Sequence, residues 1–154
     1  MEERLPAAIR RVWWIGTLLT AGWWGAVTAV AWLGHTLWHW PLWVVLIGAA
    51  VLVLHAGSKA LLIPYRYAYW RYRITDTAVY LREGALVRKE TAIPISRIQN
   101  VTLEAGPILR ANGLQEVQIQ TAATTDAIAG VTTATAATLR DLILRLAQEA
   151  RDDA

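Results

Sequence analysis

The chain of 154 residues contains no cysteine, so disulfides, thiolate nucleophiles and thiolate metal ligands are excluded. That absence also accords with a cytoplasmic location. Charge is scarce: Asp, Glu, Lys and Arg make up 18% of residues and hydrophobic types 55%, against about 25% and 45–50% in a soluble domain. The scarcity is local. From Val12 to Ser58 there is no charged residue, and the remainder of the chain carries all 27. Equipment for catalysis is missing as well. There is no nucleophile-elbow serine, no glycine-rich phosphate loop and no obvious carboxylate pair, and the three histidines lie in or beside the charge-free stretch. The sequence thus offers no catalytic residue, no cofactor site, no metal site and no evident small-molecule substrate, and an enzyme is not expected. A net charge of +3 gives no reason to expect nucleic acid.

The charge-free stretch is too long for one membrane crossing and suits two. A helix needs about 20 apolar residues to cross a hydrocarbon core about 30 Å thick. Residues 12–33 supply one span and residues 42–63 a second. Gly34 is expected to end the first helix, and Pro41 to start the second. A cleaved secretory signal would share the basic start, Arg4, Arg10 and Arg11. The apolar run, however, exceeds the usual 7–15 residues, and tryptophan pairs stand where small residues should precede a cleavage site. Basic residues flank both outer ends of the pair, and the link between the spans has none. Both termini are therefore expected in the cytoplasm, with the protein a multi-pass component of the inner membrane.

Beyond Pro64 the period changes from helix to strand. Trp70, Tyr72 and Ile74 alternate with Arg71, Arg73 and Thr75, and Val79 and Leu81 follow a turn at 75–77. A third strand is expected over residues 85–93 and a fourth over 95–103. A break follows at 104–107, and Asn112-Gly113 is a turn signal. Val117, Ile119 and Thr121 form the clearest strand. From about Thr135 a helical stripe appears in Leu139, Leu142, Ile143 and Leu146. The expected architecture is an α+β membrane protein. Residues 1–64 form a transmembrane hairpin, and residues 65–154 form a small cytoplasmic antiparallel β-sandwich or barrel closed by a C-terminal helix.

The aromatic-basic strand WRYRIT, the segments YLREGAL and IPISRIQNV, and the pair GPILRANGL and VQIQTA are, in order and spacing, similar to the bacterial pleckstrin-homology (PH)-like domain of the YdbS-like membrane proteins. The resemblance extends to the layout of two spans before one such domain. It implies a seven-stranded antiparallel PH fold capped by a helix, and companion membrane proteins carrying related domains. It implies no catalytic residue.

Three groups of residues invite a functional reading. Arg97, Gln99 and Asn100 present polar groups beside inward-facing Ile98 and Val101, either as a partner-binding edge or as caps for a bend. Lys59, Tyr65, Arg66, Trp70, Arg71 and Arg73 lie where headgroups of anionic lipid would meet them, although positive-inside topology alone produces such a cluster. Ala21, Gly25 and Ala29 form a row of small residues suited to helix packing, within the hairpin or against another subunit. His35 and His39 are read as interfacial side chains, and His55 as a polar group near the inner boundary. The expected function is a membrane-anchored module that binds protein partners or itself. The alternatives are a small oligomeric channel or transporter subunit, and an anionic-lipid sensor. The expected partners are membrane lipids and another membrane protein or a second copy.

Overall fold

The computed structural model describes residues 3–84 and 86–152, and the chain divides into two compact units. One unit is Trp13–Pro64. The other combines Tyr65–Ala154 with Met1–Val12. The N-terminal segment expected to belong with the hairpin is thus built into the soluble unit.

Two helices carry the apolar stretch, α1 (Ala8–Trp38, 31 residues) and α2 (Leu42–Tyr69, 28 residues). At 1.5 Å per residue they are about 46 and 42 Å long, more than a hydrocarbon core requires. Few of their side chains are buried within the protein, unlike those of a soluble core helix; Leu54 and Leu61 are each 72% exposed. Both helices overrun the expected limits. Gly34 does not end α1, which continues for another turn to Trp38. His39 then takes the left-handed conformation (φ 53°) and reverses the chain. Gly34 instead admits the Trp40 ring, into which a β-carbon at that position would project. Pro64 does not end α2 either; the helix continues through it to Tyr69. Proline is tolerated in membrane-spanning helices because nearby groups re-satisfy the freed carbonyl. The hydroxyls of Thr17, Thr20 and Thr28 donate to carbonyls one turn back in their own helix, on Trp13, Gly16 or Thr17, and Trp24.

Among its described residues, the soluble unit holds seven strands in two antiparallel sheets. The first sheet has the order β1 (Glu3–Arg4), β2 (Arg71–Ile74), β3 (Ala78–Glu83), β4 (Lys89–Pro94). The second has β5 (Ile98–Glu104), β6 (Leu114–Thr121), β7 (Thr125–Thr132). Inward residues of the alternating pattern form the core: Trp70, Tyr72, Val79, Leu81, Val117 and Ile119 are all buried. β1 is too short to be legible in sequence, yet Glu3 pairs with Tyr72 and accepts a 2.6 Å hydrogen bond from its hydroxyl. Burial, followed by that hydrogen bond and the Glu3 charge, pushes the phenol well above its ordinary pKa. Behind β1, Leu5 and Ile9 are buried in the same unit, and the Tyr67 hydroxyl donates to the Leu5 carbonyl at 3.0 Å.

Two expected elements are revised. The third strand begins at Lys89, so Leu86 and Val87 lie in the loop before it; Ala85 is outside the described residues. The fourth becomes a 3-10 turn (Ile95–Arg97) followed by β5, because Pro94 ends one sheet and Ile95 is pinned by donating its N–H to the Thr77 carbonyl. Asn112-Gly113 forms the expected turn. It terminates a short helix, α3 (Pro107–Ala111), with Gly113 at φ 66°. The C-terminal helix, α4 (Thr133–Asp152), starts two residues earlier than its stripe suggests, the backbone N–H of Thr135 donating to the Thr132 hydroxyl. It packs on β5, β6 and β7 through Ala136, Leu139, Ile143 and Ala147. Leu142 and Leu146 are half-buried at the side of that seam.

Candidate functional site

The change of sheet at Pro94 leaves β4 as an edge. Because Ile95 hydrogen-bonds to Thr77, the two-residue alternation directs Ile93, Thr91 and Lys89 toward β3. The backbone groups of Ala92 and Glu90 point the other way, and among the described residues no strand pairs with them. Pro94 has no N–H to offer there.

A groove of about 870 Å³ opens beside this edge. Its lining includes Ala92 and Pro94 from β4, Arg97 from the 3-10 turn, Gln99 from β5, Ala123 from the β6–β7 turn, and Arg151 near the end of α4. Arg151 donates to the Ile98 carbonyl at 3.1 Å, fixing the helix end to the start of β5. Lys89 lies 3.7 Å from Asp126 and 3.5 Å from Glu83. The turn at the far wall is locked by Thr121, whose hydroxyl accepts from the N–H groups of Ala123 and Thr124. The groove therefore offers an unpaired strand edge, a shallow apolar floor, and a rim with more cationic than anionic groups.

The structure divides the polar trio. Arg97 and Gln99 are exposed and line the groove, whereas Asn100 lies outside it and donates to the Thr102 hydroxyl at 3.4 Å. A β-bulge between Ile98 and Asn100 is the cause. The extra residue turns Gln99 out of register, so that Ile98 and Val101, three apart, are both buried. Ala92, Asp126 and Arg151 gave no signal in sequence. They reach the groove from segments up to 59 residues apart, and only the topology assembles them.

The headgroup cluster also divides. Lys59, Tyr65, Arg66 and Arg73 are exposed; Arg73 stacks over Tyr80 with its guanidinium carbon 4.8 Å from the ring centre. Arg71 is half-buried and donates to the Trp70 carbonyl at 2.9 Å. Trp70 does not meet headgroups: it is 1% exposed, packed edge-on against Tyr72, because it continues the inward side of β2. In the helical unit, a β-carbon at Gly25 would meet nothing within 4 Å. The close approach of the two helices occurs instead at Gly48, where a β-carbon would lie 3.0 Å from the Thr28 hydroxyl. The row Ala21, Gly25, Ala29 is therefore not what joins the hairpin at Gly25. His35 engages the Trp40 carbonyl and is tilted against Trp32.

The model of the bacterial PH domain family matches residues 12–147. A transmembrane protein of Bacillus subtilis (strain 168), YdbS of the UPF0699 group, is 35% identical over 128 residues, covering 82% of this chain and 80% of that one. No solved structure matches the chain. A match over most of the length, spanning the helices as well as the strands, leaves one assignment: the chain belongs to the bacterial PH domain family, as a YdbS-like transmembrane protein.

Proposed function

We propose that this protein is a non-catalytic, membrane-anchored interaction module whose groove beside β4 receives an extended segment of a protein partner. The observation that carries this reading is the coincidence of an unpaired strand edge with Arg97 and Gln99 in a single open groove. Strand addition draws affinity from main-chain hydrogen bonds and specificity from flanking side chains, and the groove supplies both. Confinement to the same membrane as the partner raises effective concentration, so modest intrinsic affinity suffices. The flanking basic residues favour an inner-leaflet location with both termini cytoplasmic. A partner with related domains and a second copy of this chain are both compatible with such a site.

A lumen-lining role for the helices is less well supported. Thr17, Thr20 and Thr28 return their hydroxyls to the backbone, and Thr28 faces Gly48 of the neighbouring helix.

The test is purification of the tagged protein in mild detergent from its native membrane, with mass spectrometry of what accompanies it. Wild-type protein should retain a stoichiometric membrane partner, and Arg97→Glu combined with Gln99→Lys should lose it while the domain stays folded. Equal recovery by both proteins refutes the groove as the docking site.

A further inference from the structure

We propose that the β3–β4 loop is an interfacial foot, inserting Leu86 and Val87 into the lipid leaflet from which the soluble unit hangs. Leu86 is 84% exposed and Val87 81%, more than any other large apolar side chain among the described residues, including those of the two membrane helices. Among the described residues of the soluble unit the next most exposed large aliphatic side chain is Leu144, at 38%, and two adjacent ones held out this much further are a surface made for an apolar environment. Their display is built in. Gly84 adopts φ 111°, and a β-carbon there would collide with the Val87 carbonyl, so the loop closes only because residue 84 is glycine.

Two observations identify the apolar environment as lipid. The first is tethering. Arg88, next to Val87, lies over the ring of Tyr69 with its guanidinium carbon 4.9 Å from the ring centre. Tyr69 is five residues from Pro64, where the membrane-spanning unit ends. A chain of five residues reaches at most about 18 Å, so the loop is moored close to the bilayer in any arrangement of the two units. The second is charge. Arg82, Arg88 and Lys89 flank the tip, and the two acids between 82 and 90 are engaged: Glu90 by Arg82 at 3.3 Å and Glu83 by Lys89 at 3.5 Å. With Asp126 also on Lys89, the collar is one of paired charges with Arg88 adjoining the apolar tip, matching the boundary between acyl chains and headgroups. Two side chains would anchor a free protein poorly. Here the hairpin already supplies the proximity, and insertion only orients the domain.

The absence of native cysteine makes the test direct. Single cysteines at Leu86, Val87 and, as control, exposed Ala123 are labelled with an environment-sensitive fluorophore, and the pure protein is reconstituted into phosphatidylcholine vesicles with and without phosphatidylglycerol. At positions 86 and 87 the emission should shift to the blue and be quenched by lipid-borne spin labels placed near the headgroups, several-fold more than at 123. Iodide in the buffer should quench 123 and spare 86 and 87. Leu86→Ser should leave the far-ultraviolet circular dichroism unchanged while raising iodide access to a label at Val87→Cys. Labels at 86 and 87 that behave like the control in pure lipid overturn the proposal, and protection seen only in native membranes assigns the loop to a protein instead. No partner is present in the vesicles, so the outcome is independent of the groove.

Discussion

Gly130 and Ile9 provide the sharpest test of the claim that the N-terminal segment belongs to the β domain. Gly130 sits in β7 at φ 72°, and a β-carbon there would collide with Cδ1 of Ile9, itself 2% exposed. Gly130→Ala therefore meets two costs: about 1–2 kcal/mol for left-handed backbone with a side chain, and about 1–3 kcal/mol for overpacking against Ile9. Ile9→Ala removes the obstacle and, alone, costs about 2–5 kcal/mol through the cavity it leaves. In the double variant the alanine methyl at 130 enters space vacated by Ile9, so the overpacking cost disappears while the backbone cost remains. The double variant should thus be more stable than the sum of the single effects by about 1–3 kcal/mol, within the range of contacting pairs. Thermal or urea unfolding in mild detergent, followed by near-ultraviolet circular dichroism, measures this. Additivity to within about 0.5 kcal/mol would refute the contact, and with it the assignment of residues before Val12 to the soluble unit.

Glu116 supplies a pH-dependent counterpart. Its pKa is raised, first by burial and then by the Glu104 carboxylate across the β5–β6 ladder, with Gln118 opposing the shift. A raised carboxyl pKa means the native state holds the proton longer than the unfolded chain. Stability is therefore fully present below the ordinary carboxylate range and falls as pH rises through it to the folded value. Glu116→Gln should raise the unfolding midpoint at pH 7, and the gain should vanish below about pH 4; a gain that persists in acid would contradict this. In the hairpin, Gly48→Leu should push against Thr28 and destabilise the helix pair by about 1–3 kcal/mol. Gly25→Leu, which meets open space, should leave an isolated hairpin unaffected. Unfolding by sodium dodecyl sulfate, followed by tryptophan fluorescence, resolves the two, since every tryptophan except Trp70 lies in that unit. Equal effects would mean the helices approach elsewhere.

Where a single local pattern decides an element, the sequence was readable. The charge void from Val12 to Ser58 locates both membrane helices, and strict alternation over Trp70–Ile74 and Val117–Thr121 marks strands in which Trp70, Tyr72, Val117 and Ile119 are buried, while Ile74 and Thr121 at the strand ends are half-buried. Elements were misread where the environment overrides the local rule. Gly34 and Pro64 are stop signals in water, but a membrane segment has no solvent for its backbone, so helix persists through both. Asn112-Gly113 marks a left-handed residue correctly, yet nothing local states whether a strand or a helix precedes it. β7 is rich in Thr and Ala, with too little apolar contrast to show a period, and its Gly130 makes sense only once Ile9 is seen above it.

The least legible feature is also the one that organises the protein. β1 is two residues long, and its partner lies 69 positions later in β2, beyond both membrane helices. Its pairing closes a loop that contains the entire hairpin. The first turn of α1 and the last turn of α2 are consequently both parts of the soluble unit: Leu5 and Ile9 are buried in it on one side, and Trp70 on the other. The Arg10 guanidinium over the Tyr67 ring, 5.7 Å from its centre, ties the two turns to each other. The turns at which the chain leaves and re-enters the soluble unit are thereby parts of its packed structure, so that unit depends on residues separated in sequence by the whole hairpin.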